Sequence, residues 1–310
     1  GLGANSITNV NWSNSSNNWS FWGQYSSNLV ANLTNFPVRP DANTALFVVW
    51  VNNADFVGDM NTFGLPNNSD HGTNITSWTN AINQSLTNHW KVITNLYYAK
   101  NTRTLVMPNA VDITEIPEYD SVASSAYKSF VRQRVIDFNA AFTALLNQAR
   151  TSLPGITIYE PDVFSLLDNV LTNAAAYGLT NVLSSGESTD VIESSLTDKS
   201  LNGPGTNYIF WDSSDPTAKF HAVLADITKQ LISPAQITSV TLLEEDCQLD
   251  VASLPIGLNG FVDGCANLLM TNWTVQANFS STNATETIFV PAEAPVWFYR
   301  LRFPYSWSWP

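Results

Sequence analysis

The sequence predicts an α/β domain built on a parallel sheet, followed by a small antiparallel β-sandwich. Three observations predict it. Short continuous apolar runs alternate with long helical stripes through the first three quarters of the chain, the pattern of strand–helix–strand units with buried strands. Beyond residue 235 that pattern gives way to short alternating segments with turn signals about every 8–12 residues. The 310 residues are 44% hydrophobic and only 13% charged, enough apolar side chain for a sizeable core and too little charge for a disordered chain.

The elements follow in order. TALFVVWV (residues 44–51) is apolar and β-branched and reads as a strand buried on both faces. A polar loop, NTFGLPNNSDHGTN (61–74), leads to a helix over about residues 76–100, whose Trp78, Ile82, Leu86, Trp90, Ile93 and Tyr97 recur every three or four positions. RTLVMP (103–108) reads as a second buried strand. A long helix follows over about 121–153, with Phe130, Val131, Val135, Phe138, Phe142 and Leu145 on its stripe. GITIYEP (155–161) is a third strand. DVFSLLDNVLTNAAAYG (162–178) is a helix closed by Gly178. NYIFWD (207–212) reads as a fourth strand, and PTAKFHAVLADITKQLI (216–232) as a helix with Pro216 at its first position. Sites in such sheets lie beyond the carboxyl ends of the strands, which places candidate chemistry at residues 52–55, 108–111, 161–162 and 212–215. The boundary is expected near Pro234, giving an α/β domain over 1–235 and a β-module over 236–310. The strands of that module are ITSVTLL, CQLDVAS, NGFVDG, NWTVQANF, TETIFV and VWFYRLRF.

Charge narrows the function. Thirteen Lys and Arg stand against 26 Asp and Glu, a net charge of −13. Nucleic acids and anionic membranes select basic surfaces, so neither is an expected partner. No apolar run approaches the roughly 18 residues of a membrane span. The few lysines and the abundance of Asn, Ser, Thr and Trp suit a secreted or cell-surface protein. In that compartment Cys247 and Cys265 are expected to form a disulfide, the alternative being two buried thiols. Of about ten N-x-[ST] sequons, Asn11, Asn32, Asn74 and Asn272 are glycosylation candidates.

Several blocks resemble the GDSL, or SGNH, hydrolases, secreted esterases and lipases with a flavodoxin-like three-layer sheet. TALFVVWVNNADF resembles that family's third block, a strand ending in Gly-x-Asn-Asp. DVFSLLDNVLTNAAAYGLTNV is similar to the helix before its final block. IFWDSSDPTAKFHAVLAD resembles that final block, Asp-x-x-His-Pro-Thr followed by a helix. The closing β-segments resemble modules that end many secreted bacterial proteins with a run like FYRLR (298–302). The resemblance implies a serine nucleophile, a histidine base and an aspartate that orients it. It also implies an oxyanion hole made by the serine N–H, a glycine and an asparagine.

Carried over residue by residue, the orienting acid is Asp212, and Asp215 stands where the family has histidine. A carboxylate with an ordinary pKa near 4 is a poor base for a serine at neutral pH. Asp215 is expected to cap the following helix instead. His221, about 7 Å along that helix, is expected to pack rather than to act as a base. In the third block Ala54 occupies the oxyanion position, Asn53 stands one residue early, and Asp55 is retained. Loss of an oxyanion donor removes about 3 kcal/mol of transition-state stabilisation. No buried strand runs into Gly-Asp-Ser: GESTD at Gly186 follows none, and GANSITN fits better as the second block, with Gly3 at the oxyanion glycine and Ser6 the faint nucleophile candidate. The first strand and its serine are then expected upstream of residue 1.

The leading expectation is an extracellular SGNH-hydrolase-like protein with a degenerate catalytic site, used for binding or for building a self-assembling surface structure. Two rivals stand beside it. One is an active serine carboxylesterase on acetylated glycans or lipids, its nucleophile on an upstream segment and His221 or His71 as base. The other is a carbohydrate-binding glycoprotein using Trp12, Trp19 and Trp22. No metal or cofactor is expected. Self-association is expected through the aromatic termini, NWSNSSNNWSFWGQYSS and FYRLRFPYSWSWP.

Overall fold

The computed structural model describes residues 24–63, 72–120, 124–179, 190–266, 273–292 and 297–303. The chain divides into two compact units, Gly1–Phe220 and His221–Pro310. The architecture is mixed α/β, with a parallel sheet in the first unit and antiparallel sheets in the second.

The first unit contains α1 (Ser26–Asn32), β1 (Leu46–Val48), α2 (Asn52–Phe63), α3 (Ile75–Tyr98), β2 (Thr104–Val106), α4 (Pro117–Asp120), α5 (Ser125–Ser152), β3 (Thr157–Tyr159) and α6 (Val163–Thr172). The three strands pair in parallel in the order β1-β2-β3, with Leu46, Thr104 and Thr157 in one row. Bonds from Val49 N to Val106 O and from Met107 N to Tyr159 O carry the ladder past the strand ends. Leu105, Val106 and Met107 on the central strand are fully buried. Helices α2, α3 and α5 meet around a ring cluster. Phe56 stacks on Trp78 and meets Phe138 edge-on, and Phe138 stacks on Phe142.

Three expectations are corrected here. The first strand is not buried on both faces: it is three residues long, lies at a margin of the sheet, and leaves Val48 64% exposed. Among the described residues nothing pairs with its outer side. The polar loop expected over 61–74 starts later than expected, because α2 runs from Asn52 to Phe63, and residues 64–71 of that loop lie outside the described residues. NYIFWD is not a sheet strand. Phe210 makes only isolated bridges, parallel to Asp190 and antiparallel to Pro216. A backbone that turns at residues 212–215 cannot extend a ladder. Gly178 ends a short 3-10 turn (Ala174–Tyr177) after α6, and its φ of 67° is the left-handed value glycine adopts without strain.

Helix α7 (Ala218–Ile232) spans the division between the units. The second unit then holds β4 (Gln236–Leu242), β5 (Asp246–Ala252), β6 (Asn259–Cys265), β7 (Thr274–Ser280), β8 (Thr285–Pro291) and β9 (Phe298–Arg302). All six segments read from alternation fall on these strands. They form two antiparallel sheets, β4-β5-β8 and β7-β6-β9. Leu249, Val251, Val262, Ile288, Val290 and Phe303 share one buried apolar cluster.

The Cys247–Cys265 disulfide is absent. Both residues are buried free thiols, on strands of different sheets: Cys247 lies opposite Leu242 and Val290, Cys265 opposite Phe298. Chain purified without reductant is expected to titrate two thiols after denaturation and essentially none while folded. Zero thiols in the denatured chain would restore the bridge.

Candidate functional site

The carboxyl ends of β1, β2 and β3 are joined by side-chain amides. Asn52, at the start of α2 and fully buried, donates Nδ2 to the carbonyl of Pro108 at 2.9 Å. Asn53 Oδ1 accepts from Val111 N at 3.0 Å. Asn139 on α5 accepts from Ala110 N and donates to Ala110 O, both at 2.9 Å. Asn109 donates Nδ2 to Asp162 Oδ1 at 2.8 Å and accepts from Phe164 N at 3.0 Å. Asp162 also caps α6 through Ser165 N. Segments 52–55, 108–111 and 161–162 thus come together as expected for the mouth of a parallel sheet. Most of their polar side-chain atoms hold neighbouring loops, while Asn52 Oδ1 is buried without a partner. Asn53, in particular, is committed to Val111, and Ala54 is half-buried in the first turn of α2.

Next to this mouth a charged clamp joins three elements. Buried Asp112 accepts from Thr114 N and Oγ1 and from Arg132 Nη1 at 2.8 Å. Arg132, on α5, also makes two bonds to Asp168 on α6 and lies 4.6 Å over the Phe164 ring. Those carboxylates hold its guanidinium firmly charged.

Residues 212–215 form a tight turn. Asp212 Oδ1 accepts from Ser214 N at 2.9 Å and from Asp215 N at 2.7 Å. The turn is tied to α4 by a bond from Glu118 N to Ser213 O. Asp212 therefore orients its own backbone. Asp215 is exposed and returns its carbonyl to Trp211 N at 2.7 Å. Thr217 caps α7, its Oγ1 accepting from Phe220 N and donating to Tyr208 O. Close by, burial, with the nearby carboxylates of Glu193 and Asp212, pushes the Asp190 carboxyl up. His221 occupies the fourth position of α7, in the second unit.

Reading the sequence missed the densest polar cluster. Asp55 accepts from Ser26 N at 2.8 Å and from Ser85 Oγ. Ser26 Oγ accepts from Asn88 Nδ2 at 2.9 Å. His89, fully buried against Phe138 and Phe142, bonds through Nδ1 to the Ser85 carbonyl at 2.8 Å, and its Nε2 has no partner. Burial holds the imidazole neutral, its pKa below the ordinary value. Asp59, one turn after Asp55 on α2, is pushed up to about 7 by burial and by the Asp55 charge. The signal was available: residues 78, 82, 85, 89, 92 and 96 are spaced as one helical stripe, and two of its members, Ser85 and His89, are polar, with Asn88 beside them.

An aspartate, a serine and a histidine thus meet in one place, but the connections are not those of a nucleophilic triad. Activation requires a histidine nitrogen to take the serine proton. Here Ser85 gives its proton to Asp55. His89 Nδ1 lies 3.4 Å from Ser85 Oγ but is held more closely, at 2.8 Å, by the Ser85 carbonyl, to which it must donate, so it has no lone pair for the serine proton. The cluster joins α1, α2 and α3.

Of the other sequence candidates, Asn74 is exposed and caps α3 through Ser77 N, and Asn32 is half-buried at the end of α1. Gly3, Ser6, Asn11, Trp12, Trp19, Trp22, His71, Gly186, Asn272 and Tyr305–Pro310 lie outside the described residues. Among the described residues no helix is long and apolar enough to cross a membrane, and no three His, Cys, Asp or Glu side chains group as metal ligands. No protein-family model matches the chain, and no curated protein matches it significantly.

Proposed function

We propose that this chain is an extracellular SGNH-hydrolase-like protein whose catalytic apparatus is degenerate and whose fold serves binding or the building of a self-assembling surface structure. One observation carries the reading. The groups at the family's catalytic positions are spent on local structure: Asp212 on its own turn, Asn53 on Val111, Asp55 on Ser26 and Ser85. The sheet order also supports it, since three adjacent parallel strands in chain order correspond to strands three to five of a 2-1-3-4-5 sheet.

The test is hydrolysis of a short p-nitrophenyl ester. The intact chain is expected to match buffer, and Asp212→Asn and Ser6→Ala to leave that rate unchanged. Turnover abolished by Ser6→Ala, or a serine labelled by a phosphonate, would establish the esterase reading instead. Retention on immobilised polysaccharide without turnover would select the carbohydrate-binding reading.

A further inference from the structure

Strand β4 lies at the margin of the β4-β5-β8 sheet; among the described residues it pairs only with β5, although β9 comes close to it. Residues directly opposite in an antiparallel pair share a face. Val240 faces Leu249, whose other neighbour is Ile288, and Leu242 faces Cys247, whose other neighbour is Val290. Those four partners are buried, yet Val240 is 55% and Leu242 73% exposed. The inner face of the sandwich therefore runs out, uncovered, at an open edge. Protein edges are usually blunted by charge, proline or a bulge. Gln236–Leu242 has no charged residue and no proline, and its one irregularity, between Ile237 and Ser239, leaves 239–242 regularly paired.

A matching donor exists in the same sequence. In PYSWSWP (304–310) Tyr305, Trp307 and Trp309 alternate with Ser306 and Ser308, the period of a strand with one aromatic face. It too is uncharged, so bringing it to β4 opposes no like charges in a chain of net charge −13.

The donor leaves its own chain far from Leu242. β5 ends at Ala252 beside Gln236, and a short connection enters β6 at Asn259. β9 runs antiparallel to β6 and ends with Arg302 opposite Phe261. The chain thus leaves β9 at the Gln236 end of the sandwich, with Phe303 buried in the core. Leu242 stands at the far end of β4, about 20 Å away.

We infer that the open edge of β4 is the acceptor for residues 305–309 of a second copy, which add a strand beside 239–242 and lay their aromatic face over Val240 and Leu242. The inference rests on the self-assembling reading above and names its contact. Donor and acceptor are different surfaces, so the contact is head-to-tail and propagates.

The test uses two full-length-fold variants and light scattering at high micromolar concentration. Val240→Lys spoils the acceptor at an exposed position, and deletion of residues 305–310 removes the donor. The intact chain is expected at multiples of the monomer mass and each variant at one monomer mass. An equimolar mixture of the two is expected to double that mass and go no further, because it contains one working donor and one working acceptor. Leu242→Lys is a second edge variant with the same expectation. A monomeric intact chain, assembly that survives either change, or variants that fail to complement would each overturn the inference. Ester hydrolysis is measured separately, so a failure of the non-catalytic reading is told apart from a failure of this contact.

Discussion

Replacing Asp263 by alanine is expected to lower the stability of the second unit by about 2–3 kcal/mol. Asp263 on β6 is 2% exposed and accepts from both arginines of FYRLR. Arg302 reaches it through Nε at 2.7 Å and Nη2 at 3.0 Å, Arg300 through Nε and Nη2 at 3.2 Å. The guanidinium groups also lie 4.4 Å over the rings of Phe261 and Trp273. Two residues apart on β9, the arginines share a face, and Arg300 lies directly opposite Asp263. Removing one partner of a buried ion pair costs about 3–5 kcal/mol. The lower figure is expected here because both arginines keep partial access to water, which solvates them when the carboxylate is gone. Urea unfolding followed by tryptophan fluorescence measures it. A loss below about 1 kcal/mol would show that the arginines do not depend on this carboxylate. The geometry also bears on the reading of FYRLR as an interface element: its arginines are engaged within their own sheet.

Asp59→Asn is expected to stabilise the first unit above neutral pH by about 2 kcal/mol and to flatten its pH dependence. The sign follows from the two states. In the folded chain the Asp59 carboxyl keeps its proton up to about pH 7, while in the unfolded chain it loses it near the ordinary value of 3.8. Stability therefore falls as pH rises from about 4 to about 7 and is level above that. Each pH unit of that window corresponds to about 1.4 kcal/mol, and about half of the total is taken because the side chain keeps some contact with water. His89 acts in the opposite direction. Its imidazole is held neutral in the folded state, so its contribution is lost as pH falls below the ordinary histidine value of 6.5. Chemical denaturation of the native chain and of Asp59→Asn at pH 5 and pH 8 separates the two. A difference that is equal at both pH values would exclude Asp59 as the source.

The β-module could be read almost strand by strand from the sequence, because a half-buried strand writes its environment into alternate residues. The register of β6 and β9, and hence the pairing of two arginines with one aspartate, could not. Helices α3 and α5 were legible for the same local reason. Helix α2 was not, because NNADFVGDMNTF carries few apolar residues and begins where a strand stops. The site followed the same division. That residues 52–55, 108–111 and 161–162 converge follows from alternating strands and helices alone. That Asp55 meets Ser26 and Ser85, with His89 beside them, depends on how α1, α2 and α3 pack.

By itself, then, the sequence determined most element types, the α/β-then-β order and the converging strand ends, since these depend on a period of two or 3.6 residues within one segment. Only the tertiary structure decided that β1 lies at a margin, that NYIFWD turns instead of pairing, that the two thiols stand on different sheets, and that β4 keeps an uncovered apolar face. Each of those depends on partners distant in the chain, whose choice is made by packing and hydrogen-bond satisfaction across the whole unit rather than by local pattern.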